Sequence, residues 1–367
     1  MNLRELAPAH IREIAPYVPG KPIAETAREL GLAEDSILKL ASNENPLGSS
    51  PKAIAAIRGA LGGLAYYPDG SGFELKAAIS RRIGVGPESL VLGNGSNDVL
   101  ELVARAFLTG ADSAVYSRHA FMVYPLAIQA VGARRIEVPA KDYGTDLEAL
   151  AAAIRPDTKI AFLANPNNPT GTFNAWERVR AFLERVPARV LVVIDEAYGE
   201  YLPPELQSPV VGWLRQFPNV VVTRTLSKAY GLAGLRVGYG VSHPDVAELM
   251  NRVRQPFNVN HLAMVAACAA LDDEAFLERS REVNAAGLAQ LAAGFERLGL
   301  GFLPSRGNFV AVRVGDAERV YRALLAEGVV VRPIANYGMP EFLRVTVGLA
   351  EHNERFLAAL ERALAAR

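Results

Sequence analysis

From about residue 50 onward, short apolar runs alternate with amphipathic stretches. Continuous apolar runs predict strands that are buried on both faces, because such strands have no polar side. The predicted strands lie at 89–94, 112–117, 134–139, the start of 159–171, 189–198 and 219–230. After the first of them, residues 97–108 carry apolar side chains at 99, 100, 103 and 107, the spacing of a helix. The alternation predicts an α/β fold with a mostly parallel central sheet.

The two ends of the chain have other patterns. The first forty residues combine a proline- and glycine-rich segment (16–22) with a short amphipathic helix (21–32). After about residue 275, a long charged amphipathic helix precedes mixed strands and helices, which is typical of a smaller α+β domain. The length of 367 residues also exceeds that of one usual hydrophobic core. We therefore divide the chain into an N-terminal arm contributing to the small domain (1–48), a large cofactor-binding domain (49–275) and a small C-terminal domain (276–367).

Composition and charge exclude several classes of function. Lys and Arg together number 39, as do Asp and Glu, so the basic excess of a nucleic-acid-binding protein is missing. The single cysteine, Cys268, cannot form an internal disulfide and fits a reducing compartment. The five histidines are scattered, which predicts no metal site. The charged N-terminus does not resemble a secretory signal, and no apolar stretch is long enough to span a membrane, so we expect a cytoplasmic enzyme.

Polar motifs follow the predicted strands at four places. The glycine-rich segment 93–98 opens a helix, so its free N–H groups could bind an anion. It is not a dinucleotide-binding motif, because Asp98 stands where the third glycine would be. Segments 165–171, 195–198 and 225–228 end the later strands. Each motif alone is equally typical of a turn or a helix cap, but the carboxyl ends of parallel strands should bring all four to one crevice.

Lys228 best distinguishes a functional site from ordinary turns and helix caps. As a loop lysine it could simply be solvated, but it follows a buried strand in a small glycine-rich turn beside Arg236. Burial and a neighbouring cation lower the pKa of an amine, as a Schiff-base lysine requires. Arg236 with the hydroxyls of Thr225 and Ser227 could hold a phosphate, and Asp195 could keep a pyridine nitrogen protonated. These groups together suit pyridoxal phosphate.

The order and spacing of the motifs also resemble a known family. Segments 66–72, 165–171, 195–198, 225–239 and 343–348 resemble class I/II aminotransferases of pyridoxal-phosphate fold type I. Within that group, the chain most resembles the histidinol-phosphate aminotransferases, especially the bacterial branch that overlaps with aromatic aminotransferases. The segments that carry this closer resemblance are 16–22, 40–48, 67–72, 254–260 and 329–348.

The resemblance implies a role for each motif. Lys228 would link covalently to the cofactor and later move a proton between the substrate and the cofactor. Asp195 would hold the pyridine nitrogen, Tyr198 and Asn168 would bind the ring's phenolic oxygen, and Phe121 would stack on the ring, where many members have tyrosine. The cofactor phosphate would be held by Gly95, Ser96, Asn97, Thr225, Ser227 and Arg236.

The resemblance also implies substrate and partner contacts. Tyr67 would reach the cofactor phosphate of a second subunit, so the enzyme would be a homodimer with shared active sites. Arg344 and Arg332 would bind the phosphate of histidinol phosphate in one half-reaction and the carboxylates of glutamate in the other, since the planar guanidinium matches both anions. Tyr17 would lie on the substrate side.

Three enzymatic hypotheses and one non-enzymatic hypothesis remain open at this stage. The first is amino transfer from L-histidinol phosphate to 2-oxoglutarate, giving imidazole-acetol phosphate and L-glutamate. The second is an aromatic or broad-range amino-acid aminotransferase, and the third is a pyridoxal-phosphate-dependent phosphoamino-acid decarboxylase. Some aminotransferase-like domains are ligand sensors fused to DNA-binding domains, but this sequence shows neither a helix-turn-helix extension nor a basic patch.

Overall fold

The computed structural model describes residues 2–16, 22–31 and 33–365. Its strands are β1 Leu38–Lys39, β2 Leu90–Gly93, β3 Ser113–Ser117, β4 Arg134–Val138, β5 Thr158–Ala164, β6 Leu191–Asp195, β7 Val220–Thr225, β8 Gly238–Ser242, β9 Phe302–Leu303, β10 Phe309–Arg313, β11 Val329–Val330, β12 Arg332–Pro333 and β13 Phe342–Thr346. Its helices are α1 Ala9–Arg12, α2 Ile23–Leu30, α3 Pro51–Ala60, α4 Phe73–Ile83, α5 Ser96–Phe107, α6 Val123–Ala130, α7 Leu147–Ala152, α8 Trp176–Arg185, α9 Val210–Trp213, α10 Pro244–Val253, α11 His261–Leu271, α12 Glu274–Arg297, α13 Ala317–Ala326 and α14 Ala350–Ala365.

The larger sheet has the strand order β2-β8-β7-β6-β5-β3-β4 within the described residues. Strands β3 to β7 pair in parallel, as the continuous apolar runs predict. Alternate residues of a strand belong to separate hydrophobic clusters on the two faces of the sheet. In β6, Val192 and Ile194 pack on one face and Val193 packs on the other. The predicted α/β class with a mostly parallel sheet is confirmed.

Strand β8 was not predicted, because its segment reads as part of a glycine-rich turn. It lies antiparallel to both of its neighbours, β2 and β7. Glycine is needed there by close approach: a Cβ on Gly238 would lie 2.5 Å from the Ser96 nitrogen and 2.8 Å from the Arg224 oxygen. The residue that makes this segment look like a turn is therefore the one that allows the strand to pack against α5.

The C-terminal part contains a smaller antiparallel sheet of order β12-β13-β10-β9. Its core joins Val345 of β13 to Phe295 of α12 and Phe356 of α14. The segment 329–334, which reads as one strand, is divided between two sheets: β11 pairs with β1 of the N-terminal arm, and β12 pairs with β13. The arm thus contacts the C-terminal part, while the domain boundaries at 48/49 and 275/276 stay predictions.

No helix in the described ranges is both long enough and apolar enough to cross a membrane.

Candidate active site

A cavity of about 200 Å³ opens where the strand-end motifs meet. The predicted convergence of 93–98, 165–171, 195–198 and 225–228 is confirmed, since each segment contributes to the cavity wall. The sequence-predicted site residues that line it are Ser96, Asn97, Phe121, Asn168, Asp195, Tyr198, Thr225, Ser227, Lys228, Arg236, Arg332 and Arg344.

The Lys228 amine lies inside this cavity. Its Nζ donates a hydrogen bond to the Ser42 carbonyl at 3.0 Å and lies 5.9 Å from the centre of the Tyr198 ring. Burial, and next the positive charge of Arg344, lower the pKa of the Lys228 amine to about 7. A substantial fraction of the amine is therefore neutral near pH 7, with a lone pair that can attack a carbonyl carbon or accept a proton.

Asp195 ends β6, and its buried carboxylate accepts three hydrogen bonds at the cavity wall. The Tyr124 hydroxyl donates to Oδ2 at 2.7 Å, while the Thr223 hydroxyl and the Ala197 N–H donate to Oδ1 at 2.9 and 3.3 Å. Burial raises the pKa of Asp195, and the three hydrogen bonds oppose that rise. Such an acid in an apolar strand end suits a cationic nitrogen.

A candidate anion seat lies at the start of α5. Helix α5 is twelve residues long, so its N-terminal N–H groups and dipole favour a negative group beside Ser96. The Arg236 guanidinium is kept beside the start of α5 by hydrogen bonds that its Nη1 donates to the Ser227 hydroxyl at 3.2 Å and to the Ala233 carbonyl at 3.0 Å. Gly95, with φ of 84°, leaves room for the guanidinium, because a Cβ there would lie 2.5 Å from Arg236 Nη2. The donors and the permanent charge together suit a phosphate dianion.

Two arginines form a second cationic wall. Arg332 and Arg344 are direct cross-strand neighbours in the β12–β13 pair, so their side chains leave the same face of the sheet. Arg344 is buried, and it donates to Asn168 Oδ1 and to the Ala41 carbonyl, both at 2.6 Å. The strand register thus places both guanidinium groups at the cavity, where they can bind an anionic group of a substrate.

The aromatic residues of the cavity are held by their neighbours. Burial raises the pKa of the Tyr198 phenol to about 12, and its oxygen accepts a hydrogen bond from Asn43 Nδ2 at 2.9 Å. Phe121 packs edge-on against Tyr124, whose ring stacks on Phe162 at 4.9 Å. Tyr198 therefore presents a neutral phenol at neutral pH, and Phe121 presents an apolar ring without a hydroxyl.

Among the described residues, two predicted site residues do not line the cavity: Gly95, which lies beside Arg236, and Tyr67. The Tyr67 side chain is 84% exposed and stacks on Phe257 with ring centres 4.8 Å apart. Tyr17 lies outside the described residues. In the part of the chain that is described, no group of three or more His, Cys, Asp or Glu side chains is placed to hold a metal ion.

The cavity also contains residues that the sequence patterns do not predict. Tyr124 and Thr223 hold Asp195, and the segment 41–43 of the N-terminal arm contributes to the cavity wall. For Tyr124 a sequence signal exists, because it stands three residues after Phe121 at the start of α6. None exists for the carbonyls of Ala41 and Ser42, because any residue type supplies a carbonyl.

Comparisons with known proteins agree with this geometry. A model of the family "Aminotransferase class I and II" matches residues 35–360. Histidinol-phosphate aminotransferase 1 of Thiobacillus denitrificans is 61% identical over 360 residues, covering 98% of this chain and 94% of that protein. Histidinol-phosphate aminotransferase 2 of Nitrosospira multiformis is 59% identical over 365 residues, covering 99% and 93%. The solved histidinol-phosphate aminotransferase of Sinorhizobium meliloti, in complex with pyridoxal-5'-phosphate, has a TM-score of 0.90 at 30% identity and covers 98% of this chain and 97% of its own. This chain therefore belongs to the class I and II aminotransferases.

Proposed function

We propose that this enzyme transfers the amino group of L-histidinol phosphate to 2-oxoglutarate, giving imidazole-acetol phosphate and L-glutamate. One observation carries the proposal: a single cavity holds an amine of lowered pKa, a buried acid, an anion seat and two further arginines. Full-length relatives at 57–61% identity are named histidinol-phosphate aminotransferases, which supports this substrate over aromatic amino acids or a decarboxylation.

The residues of the cavity fit pyridoxal phosphate as the cofactor. The seat at Ser96, Thr225 and Arg236 offers donors and a permanent charge for its phosphate, and glycine at position 95 leaves the space that the guanidinium needs. Asp195 would hold the pyridine nitrogen in its protonated form, and Phe121 would cover the ring. When bound, the cofactor takes up the amino group of the substrate and delocalises the electron pair left at its α carbon.

Lys228 would then carry the proton. Its amine would first hold the cofactor covalently, and after the substrate amine has replaced it, the free Nζ would take the proton from the substrate's α carbon. With a pKa of about 7, about half of the amine is neutral at pH 7 and able to accept that proton. Asn168 and Tyr198 would bind the ring oxygen of the cofactor, and the hydrogen bond from Arg344 to Asn168 Oδ1 leaves the Asn168 amide N–H groups available for this.

Arg332 and Arg344 would bind the anionic end of each substrate. Histidinol phosphate has no carboxylate, so its phosphate would occupy the two guanidinium groups in the first half-reaction. The carboxylates of glutamate or 2-oxoglutarate would take the same place in the second. Tyr17 is proposed as a further substrate contact on the basis of the sequence resemblance alone.

The second subunit is part of this proposal. Tyr67 is exposed and stacked on Phe257, at a surface that also exposes Tyr66, Leu64 and Phe73. A second copy covering this surface would bury the apolar side chains, and it would allow Tyr67 to reach the partner's cofactor phosphate. We therefore propose a homodimer with shared sites, acting in the cytoplasm.

A half-reaction titration tests the proposed function. The holoenzyme is mixed, without a keto acid, with L-histidinol phosphate, L-histidinol or L-phenylalanine, and the absorbance of the bound cofactor reports its amination. We expect conversion at about 100-fold lower concentration of histidinol phosphate than of histidinol, because two charge-assisted contacts are lost without the phosphate. Phenylalanine acting at lower concentration than histidinol phosphate would assign the enzyme to the aromatic aminotransferases. Release of CO₂ from a phosphoamino acid, without glutamate formation in the presence of 2-oxoglutarate, would indicate a decarboxylase.

A further inference from the structure

A short segment of the N-terminal arm contacts three separate groups of the site. The Ala41 carbonyl accepts a hydrogen bond from Arg344, and the Ser42 carbonyl accepts one from Lys228. Asn43 donates from its Nδ2 to the Tyr198 hydroxyl at 2.9 Å. The first two contacts use backbone atoms, whereas the third depends on the side chain and can be removed by substitution.

The backbone of Asn43 is held in a conformation that few residues adopt. Its φ is 55°, in the left-handed region, which asparagine tolerates better than most residues other than glycine. Its N–H donates to the Thr346 hydroxyl at 2.9 Å, and its carbonyl accepts from Asn308 Nδ2 at 3.0 Å. The residue is 1% exposed, so these contacts fix it between the arm and β13.

The same contacts fix the orientation of the Asn43 amide. The Thr346 hydroxyl donates to Asn43 Oδ1 at 3.2 Å, which leaves the Nδ2 end of the amide facing Tyr198. In the reversed amide the Tyr198 hydroxyl would have to donate its own proton to the Asn43 oxygen, and the Thr346 hydroxyl, which already accepts from the Asn43 N–H, would lose its acceptor. The Asn43 side chain is therefore a donor toward Tyr198.

This donor determines where the Tyr198 proton can point. The phenol oxygen accepts from Asn43, and no acceptor for the phenol's own proton is found among residues 2–16, 22–31 and 33–365. Because Tyr198 lines the cavity, the remaining direction for its proton is toward the cavity. The hydrogen bond from Asn43 also lowers the pKa of Tyr198 against the effect of burial, which makes the phenol a better donor.

We propose that Asn43 is a positioning residue, which holds the Tyr198 hydroxyl with its proton directed at the ring oxygen of the bound cofactor. The inference rests on the proposed function, because it requires a cofactor with an electron-rich oxygen at this place. In this role Asn43 acts through Tyr198. Its removal should therefore matter only while the Tyr198 hydroxyl is present.

A double-mutant cycle with Tyr198→Phe tests this dependence. Asn43→Gly removes the donor and keeps the left-handed backbone, and the readouts are the dissociation constant of pyridoxal phosphate and the pH at which the absorbance of the bound cofactor changes. We expect Asn43→Gly to weaken cofactor binding about tenfold in the wild type, and less than about twofold in the Tyr198→Phe background. We also expect Asn43→Gly to shift the pH of the absorbance change only in proteins that keep the Tyr198 hydroxyl. Equal losses in both backgrounds would overturn the proposal.

Asn308→Ala serves as the matched control. It removes the amide that donates to the Asn43 carbonyl but leaves the Asn43 side chain, its contact with Thr346 and Tyr198 in place, so we expect cofactor binding within about threefold of wild type. A loss as large as that of Asn43→Gly would assign Asn43 to attachment of the arm and overturn the positioning role. Should Asn43→Gly fail to fold, Asn43→Asp keeps the size of the side chain, replaces the donor with an acceptor and completes the same cycle.

Neither readout requires a substrate, so the proposal can fail separately from the proposed function. Non-additivity in the cycle, together with no amination by histidinol phosphate, would support Asn43 and contradict the substrate assignment. Amination by histidinol phosphate, together with an additive cycle, would support the substrate assignment and contradict the positioning role of Asn43.

Discussion

The cofactor-free protein should become more stable above neutral pH because of Lys228. The folded state lowers the pKa of this amine to about 7 from its ordinary 10.5, through burial and then the charge of Arg344. Between these two values the unfolded chain binds more protons at this site than the folded chain does. The free energy of unfolding therefore rises with pH across this window. Well below pH 7 both states are fully protonated and the contribution no longer changes.

The size of this effect follows from the two pKa values. A pKa difference of one unit corresponds to about 1.4 kcal/mol. Integrating the proton uptake of both states from pH 7 to pH 9 gives a gain of about 2 kcal/mol in the free energy of unfolding. The free energy of unfolding rises less steeply with pH near pH 7, because the folded amine is itself half-protonated there.

The comparison that isolates the lysine is wild type against Lys228→Met, which keeps a long apolar side chain and removes the charge. Urea denaturation of the cofactor-free proteins, at equal protein concentration and at pH 7, 8 and 9, gives the free energy of unfolding of each. The difference between wild type and variant should move by about 2 kcal/mol in favour of wild type over this range. Lys52→Met, at a side chain that is 59% exposed, is the control and should follow wild type. Parallel pH profiles of wild type and Lys228→Met would refute the reasoning.

Two further substitutions test the acid and the shared site. Tyr124→Phe keeps the ring stacked on Phe162 but removes the hydrogen bond to Asp195, so the pKa of that acid should rise and cofactor affinity should fall about tenfold at neutral pH and further as the pH falls. The dissociation constant measured from pH 5 to pH 8 checks this, and an unchanged constant would contradict the role of Tyr124. Mixed dimers of Lys228→Ala with Tyr67→Phe should recover activity relative to either parent, because one of the two sites would then have both groups. Absence of recovery in isolated mixed dimers would count against Tyr67 crossing to the partner.

The strands and their order along the chain could be predicted because burial on both faces leaves a clear sequence pattern. The runs that became β2, β5, β6 and β7 contain few polar residues until their carboxyl ends, where the chemistry begins. Parallel pairing brings the ends of β5, β6 and β7 to one edge, and β2 points the same way because β8 lies antiparallel between β2 and β7. Pattern and topology together were enough to locate the cavity.

What could not be predicted depends on contacts between distant segments. Strand β8 contains glycines for the sake of close packing, and that composition has the pattern of a turn. The hydrogen bonds from Asn43 to Tyr198 and from Asn308 to Asn43 join residues 155 and 265 positions apart, so no local spacing predicts them. The carbonyls of Ala41 and Ser42 carry no signal in a side chain at all.

The position of Arg344 has a consequence for how the substrate range of this enzyme can change. Its guanidinium is proposed to bind the substrate anion, and its charge also lowers the pKa of the Lys228 amine. Replacement by a neutral residue would raise that pKa, so more of the amine would be protonated and inactive at pH 7. An enzyme that replaced Arg344 to accept an uncharged substrate would thus lose the lowered pKa of Lys228 together with the binding site for the substrate anion. Such a lineage would have to acquire another cation, or deeper burial of the amine, before the new substrate could react well.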